Sequence, residues 1–317
     1  MRSLPALGVA ALLAGALGCS LLGKAPPADP QRPTTPVATV TANKLVDYLD
    51  DRANHLQSIS ADVKFTAREG IIAAASLHGS LSVSQPRNFR MMGKGGLAGT
   101  VDLGSNSDQF WVYLEAPTTK PMFVYASHSD FEAGRAKLPG GIPFEPDWVM
   151  EALGMHIFPK DLKYNEPKLS QSERTYTLSW PSKTPTGLAV KKEVVFDADD
   201  TLQLRGPDGR DPRPQVKKHL IRDSKNNKLL CSAEVKRVST ISVPTGGGDS
   251  RPAQVLVQYP THLVLRWEVQ NFELDLTLEN VQINQRVPDE VARRLFSRPA
   301  EYTTPAIDLA KYEYSIR

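Results

Sequence analysis

From Ile59 to Ile283 the apolar residues recur at every second position, segment after segment, and this period constrains what the chain can become. Ile59, Ala61, Val63, Phe65 and Ala67 alternate with Ser60, Asp62, Lys64, Thr66 and Arg68. Ala75, Leu77, Gly79, Leu81 and Val83 alternate with Ser76, His78, Ser80, Ser82 and Ser84, and Glu69-Gly70 marks a turn between the two rows. Successive side chains of a strand point to opposite faces, so this alternation specifies one buried and one wetted face. The two rows predict an antiparallel hairpin. Further short rows fall at 88–93, 99–103, 109–115, 122–126, 176–180, 190–196, 201–204, 217–222, 229–241, 263–269 and 272–278. After Leu278 the apolar phase slips to Val281 and Ile283, which predicts a β-bulge near Glu279-Asn280, since a one-residue slip turns every later side chain over.

The helical period is rare. It appears at 41–57, where Leu45, Leu49, Ala53 and Leu56 share a face and Thr41 can cap the start. Pro146 and Gly154 bracket a second short helix, and 287–296 is a third. Residues 299–317 read as an extended tail. There is no βαβ alternation, no repeat and no linker after residue 41, so 41–317 reads as one domain. The expected class is mainly β with short helices: one large curved antiparallel sheet, or an unclosed β-barrel carrying a helical lid. With 25 Pro and 21 Gly among 317 residues the chain is punctuated too often for a helical bundle.

Ahead of this domain the chain changes character. Arg2 is followed by an uncharged run, Leu4 to Leu17, and then Gly18-Cys19. The run is too short to span a membrane comfortably and has the build of a cleaved export signal, residues 1–18. It resembles the bacterial lipoprotein signal, with Leu17-Gly18-Cys19 matching and Ala16 departing from the usual Leu. The resemblance implies that Cys19 becomes the N-terminus and carries a diacylglycerol and an N-acyl chain, and Ser20 beside it favours the outer membrane, facing the periplasm. Residues 19–40 hold Pro26, Pro27, Pro30, Pro33 and Pro36 without apolar periodicity, as expected of a spacer between anchor and domain.

Signs of catalysis are sparse. The chain has no HxxxH, GxSxG, SxxK or GxxxxGK[ST] pattern, and its two Cys make neither a disulfide framework nor a zinc site. No catalytic residue, metal ligand or soluble cofactor is therefore assigned. Cys231 sits in an apolar row and reads as packed. Gly93-Lys94-Gly95-Gly96 and Gly246-Gly247-Gly248 read as flexible loops. A formal charge of +3, from 38 basic and 35 acidic residues, argues against a nucleic-acid partner. A local basic excess falls in 201–240; it reads as a solvated strand face or as a surface attracted to anionic lipid head groups.

Several of these residues resemble the LolA/LolB-like carriers of bacterial lipoproteins. Ser60 and Phe65 fit the first strand pattern, and Gly79, Leu81, Pro86 and Arg90 fit the strand pair after it. Val195-Phe196-Asp197 and Asn280-Val281-Gln282-Ile283-Asn284, with Phe296 and Pro299, follow the later pattern. The resemblance spans most of 41–300. It implies an unclosed barrel whose helical lid covers a hydrophobic cavity for acyl chains. The implied function is that of a membrane-anchored, non-enzymatic envelope protein whose partners are membrane lipids or lipoprotein acyl chains. A cargo-free scaffold on the same fold is the alternative. The residues expected to line the inner wall are Ile59, Val63, Phe65, Leu77, Leu81, Phe110, Val112, Leu114, Leu265 and Trp267. Apolar alternation looks the same in a cavity wall and in a filled core, so the sequence leaves that choice open.

Overall fold

The two opening rows form β1 (Ser58–Glu69) and β2 (Ile72–Ser84), paired antiparallel with Phe65 opposite Leu77 and Ala61 opposite Leu81. The computed structural model describes residues 40–69, 72–95, 99–115, 120–136, 146–184, 187–198, 215–244 and 254–312, all within one unit, Thr39–Arg317. The signal segment, Cys19 and nearly all of the tether lie outside the described residues, as do the expected strand at 201–204 and the second Gly-rich segment.

The strands continue as β3 (Asn88–Gly95), β4 (Gly99–Ser105), β5 (Gln109–Glu115) and β6 (Met122–Ser127). After α2 (His128–Glu132) and α3 (Pro146–Ala152) come β7 (Asn165–Ser170), β8 (Thr175–Lys183), β9 (Ala189–Asp197), β10 (Val216–Asp223), β11 (Leu229–Pro244), β12 (Gln254–Trp267) and β13 (Phe272–Ile283). Helix α4 (Asp289–Leu295) and the two-residue β14 (Ile307–Asp308) follow, and α1 (Ala42–His55) precedes the sheet. All fourteen described strands join one sheet in the order β14-β6-β5-β4-β3-β2-β1-β13-β12-β11-β10-β9-β8-β7. Every pair is antiparallel except β14 on β6. The described strands leave β14 and β7 at opposite edges, so the sheet does not close. Both edges are blunted: β14 is very short, and β7 carries Pro167 between Glu166 and Lys168 at an irregular register.

The inner face of this sheet must curl. Fourteen strands laid flat would span roughly 65 Å, at about 4.8 Å per strand. Two helices of about 10 Å diameter cannot cover that width. Yet one continuous buried cluster runs from Ala126 on β6 to Tyr176 on β8 and takes in Leu45 and Leu49 of α1 and Trp148, Val149 and Leu153 of the α3 segment. The sheet therefore wraps the helices.

Several sequence expectations are met at residue level. Thr41 caps α1, its hydroxyl accepting from the Lys44 amide. The bulge falls where the phase slips: Ser60 faces Gln282 and Asp62 faces Glu279, and Asn280 takes a positive φ of 51°. Gly154 closes α3 with φ 82°. Others are corrected. Gly93, Lys94 and Gly95 are strand residues of β3, because β2 and β4 flank the first two and β4 pairs with Gly95. Val269 leaves its expected row and is 59% exposed in the turn between β12 and β13. Strand β7 was hidden by a polar sequence, NEPKLS, that has no apolar row.

The chain after β13 packs back on the outer face. Arg90 Nη1 donates to the Leu295 carbonyl and Asn106 to that of Phe296, while the Arg298 guanidinium lies 3.6 Å from the Tyr125 ring centre. Tyr302 stacks on Tyr113 at 3.8 Å and 2°. Gly104 makes room beneath this strap, since a Cβ there would come within 2.0 Å of the Trp111 ring.

Candidate functional site

Two concave regions offer themselves. The larger is a groove of about 1270 Å³ on the outer face of β7–β12. Several of its charges are committed to one another: Glu193 to Lys191 and Arg222, and Arg266 to Glu234 and to Glu273. At its margin Lys217 pairs with Asp197. Of the basic excess at 201–240, Lys217, Arg222 and Lys236 are thus paired with acids, of β9 for the first two and of β11 itself for the third.

The second region is the sheet interior. Of the ten expected wall residues, nine are buried in the main core: Ile59, Val63, Phe65, Leu77, Leu81, Phe110, Val112, Leu265 and Trp267. Leu114, near the end of β5, is 36% exposed and lies outside it. Among the described residues, one interior space of about 10 Å³ is bordered by Leu81, Phe89, Met91, Leu265, Trp267, Leu274, Leu276 and Leu278 from the sheet and by Val149 and Leu153 from the α3 segment. A single water needs about 10–15 Å³. Between these residues the sheet rows therefore face a packed element, α3, and not an open space; the alternation alone leaves that choice open. Three of the ten named residues, Leu81, Leu265 and Trp267, touch the residual space. Phe89, Met91 and the row Leu274, Leu276, Leu278 touch it too and were not nominated, although their alternation was visible.

The seven-residue α3 is too short to persist on its own. The apolar side of its segment holds Trp148, Val149 and Leu153, with Trp148 edge-on to Trp267 at 5.6 Å. The middle of that run contains a charge. Glu151 is 3% exposed and reaches Lys192 Nζ at 2.9 Å and His219 Nδ1 at 3.4 Å. Burial alone pushes the Glu151 carboxyl up; the Lys192 ammonium, and after it the His219 hydrogen bond, outweigh that and hold it well below the ordinary carboxylate range. Burial pushes His219 down; the Glu151 hydrogen bond and charge oppose this, Arg52 and Lys192 add to it, and the net shift is downward, so its ring is neutral at pH 7. The Glu151 carboxylate can only accept, so Nδ1 carries the ring proton and donates. Beyond α3, Asp50 of α1 accepts from the Phe158 amide at 2.7 Å, and Phe158 and Tyr164 pack edge-on to Trp180. By contrast the C-terminal end of α1 is pinned to the sheet, because Asn284 bridges the His55 carbonyl and the Gln57 and Ser58 amides.

Three buried polar atoms around this cluster have no hydrogen-bond partner: Arg52 Nε, Trp148 Nε1 and His219 Nε2. The residues that fasten α3 were missed in sequence, yet each interrupts an apolar phase. Arg52 stands on the buried stripe of α1 with Leu45 and Leu49. Glu151 breaks the run Trp148 to Leu153. Lys192 lies in the row Val190, Val194, Phe196, and His219 in the inward phase of Ile221.

Ser105 and His128 approach one another without forming a nucleophile–base pair. Ser105 Oγ lies 3.2 Å from His128 Nε2, but the same nitrogen is 2.9 Å from the Asn106 carbonyl, to which it must donate, so it cannot also accept the Ser105 proton. Among the described residues no group of three His, Cys, Asp or Glu converges as a metal set.

No family model and no curated protein matches this chain. Solved structures that resemble it include a Vibrio parahaemolyticus domain provisionally assigned as an outer-membrane lipoprotein-sorting protein, at 10% identity and TM-score 0.47 over 80% of this chain and 97% of that one. A LolA superfamily protein from Nitrosomonas europaea aligns at 13% identity and TM-score 0.46 over 82% and 98%. A DUF1329 family protein from Desulfovibrio piger aligns at 9% identity and TM-score 0.45 over 79% and 96%. At such values no residue's role transfers from one chain to another.

Proposed function

We propose that this chain is a non-enzymatic, lipid-anchored protein of the bacterial envelope that takes acyl chains, from lipids or lipoproteins, into the space α3 now fills. The carrying observation is how that space is closed. One side of it is sheet side chains and the other is α3, a short helix fastened through the buried carboxylate of Glu151 to Lys192. A protein needing only a core gains more from apolar packing than from a buried salt bridge, whose desolvation can exceed its Coulombic gain. A buried polar fastening suits an element that leaves and returns to one position. An acyl chain would replace Val149 and Leu153 against the same wall, at about 0.8 kcal/mol per buried CH₂.

Anchoring through an acylated Cys19, with residues 19–40 as spacer, holds such a domain at a membrane surface, and the outer membrane is the surface favoured by Ser20. Cys19→Ala is expected to move the protein from the membrane to the soluble fraction; unchanged membrane retention refutes the anchor. For the cargo, native mass spectrometry of protein gently extracted from membranes is expected to show bound lipid, and more of it in Glu151→Gln, which weakens the fastening.

The filled interior favours a second reading, a cargo-free envelope scaffold with α3 as permanent core. Under that reading both proteins carry no lipid and Glu151→Gln merely loses stability.

A further inference from the structure

Arg52 is an anomaly that the ion pair of α3 does not explain. It lies on the core-facing stripe of α1 and is 8% exposed. Its guanidinium rests against Gly154, where a Cβ would come within 2.7 Å of Cζ. Its Nε has no partner, and among the described residues no carboxylate pairs with it. The two nearby buried carboxylates are engaged elsewhere, Asp50 with the Phe158 amide and Glu151 with Lys192 and His219. Burial pushes the Arg52 guanidinium down, and Tyr48 offsets this only in part. Guanidinium groups stay charged in proteins, so among the described residues this buried cation has no counter-ion.

Its position gives this a use. Gly154 follows directly on Leu153, which borders the residual space. Arg52 therefore stands at one end of the volume α3 occupies, and withdrawal of α3 uncovers an apolar wall and a guanidinium together. That is the form of an amphiphile: a hydrocarbon chain with an oxyanion at its end, which a guanidinium fork can grip with two parallel hydrogen bonds.

We propose that Arg52 receives the oxyanion of an anionic amphiphile, the carboxylate of a free fatty acid or the phosphodiester of a phospholipid, whose chain lies where α3 now packs. This rests on the acyl-binding reading above and adds the charge class of the ligand.

The test uses the full chain in a neutral detergent, titrated by native mass spectrometry with two matched pairs: oleate against oleyl alcohol, and phosphatidylglycerol against diacylglycerol. The expected result is at least about tenfold tighter binding of the anionic member of one pair or both, the size of a charge-assisted hydrogen bond. A preference in the first pair alone identifies a fatty acid, and in the second alone a phospholipid. Arg52→Met is expected to reduce the anionic affinity to that of the neutral partner and leave the neutral affinity unchanged, while Arg52→Lys retains part of the preference. Arg52→Met removes an uncompensated charge and is expected to fold at least as stably, checked by its melting temperature. Equal binding of anionic and neutral members by the unaltered protein overturns the proposal whatever the variants do, as does a preference that survives Arg52→Met. Absence of binding by all four lipids overturns the acyl-binding reading and this proposal with it.

Discussion

On the outer face of the sheet Asp102, fully buried, accepts from Arg90 Nη2 at 2.8 Å and Nε at 3.3 Å, from Trp111 Nε1 at 3.3 Å and from Tyr302 at 2.8 Å. On the inner face Glu151, almost as buried, is held by Lys192 and, through a long contact, by His219, with Arg52 Nε, His219 Nε2 and Trp148 Nε1 left without partners around it. Both are charge clusters in low dielectric, but one is saturated and the other is not. Saturated buried networks rigidify one arrangement, while each unpaired polar group in an incomplete one costs free energy in the closed state. The outer cluster fastens the C-terminal strap to β3–β5 for good. The inner cluster holds α3 in place and leaves it able to depart.

The largest effect expected from this comparison is on the outer side. Asp102→Asn leaves Arg90 buried without its charge partner and is expected to lower global stability by about 3–5 kcal/mol, read by denaturant unfolding. A loss below about 1 kcal/mol would mean that the outer cluster is no firmer than a surface pair. Glu151→Gln is expected to cost less, about 1–3 kcal/mol, since Lys192 is partly exposed and can turn to water. Its distinguishing mark is local: faster amide exchange in α3 and the segment up to Phe158, with β3–β5 unchanged. If both mutations instead unfold the protein as one unit, the two clusters do not differ in kind.

The mildest perturbation is pH. Burial lowers His219 and also His156, so below the ordinary His pKa of about 6.5 the unfolded chain binds protons that the folded chain does not. Stability is therefore full above about pH 6.5 and falls as pH drops below it. Glu151, held low, adds a further loss only below the ordinary carboxylate value of about 4.3. His219→Gln is expected to flatten the upper part of this slope in melts between pH 7 and 5. An unchanged slope would place the titration elsewhere.

The same comparison shows where the sequence could be read. The sheet was legible because alternation is local: Ile59 to Val83 indicated faces and pairing, and the slip after Leu278 indicated the bulge at Asn280. The strap was legible only as a tail, since nothing in Tyr302 tells that Tyr113 awaits it some 190 residues earlier. For the site, Leu81, Leu265 and Trp267 of the nominated wall border the space beside α3, but alternation cannot say whether the space they face is empty, because that depends on how Val149 and Leu153 are seated. The charged residues were passed over one at a time. Arg52, Glu151, Lys192 and His219 each look like a single fault in an apolar row, and only the curl of the sheet brings the faults into one cluster.

The central claim is that α3 is a removable filler, and amide hydrogen exchange on the full chain with and without bound lipid tests it most directly. With the acyl site occupied, the amides of Val149 to Gly154 are expected to exchange at least about tenfold faster while those of β3, β4 and β5 keep their protection. If lipid binds and α3 stays as protected as before, the ligand lies elsewhere and α3 is permanent core.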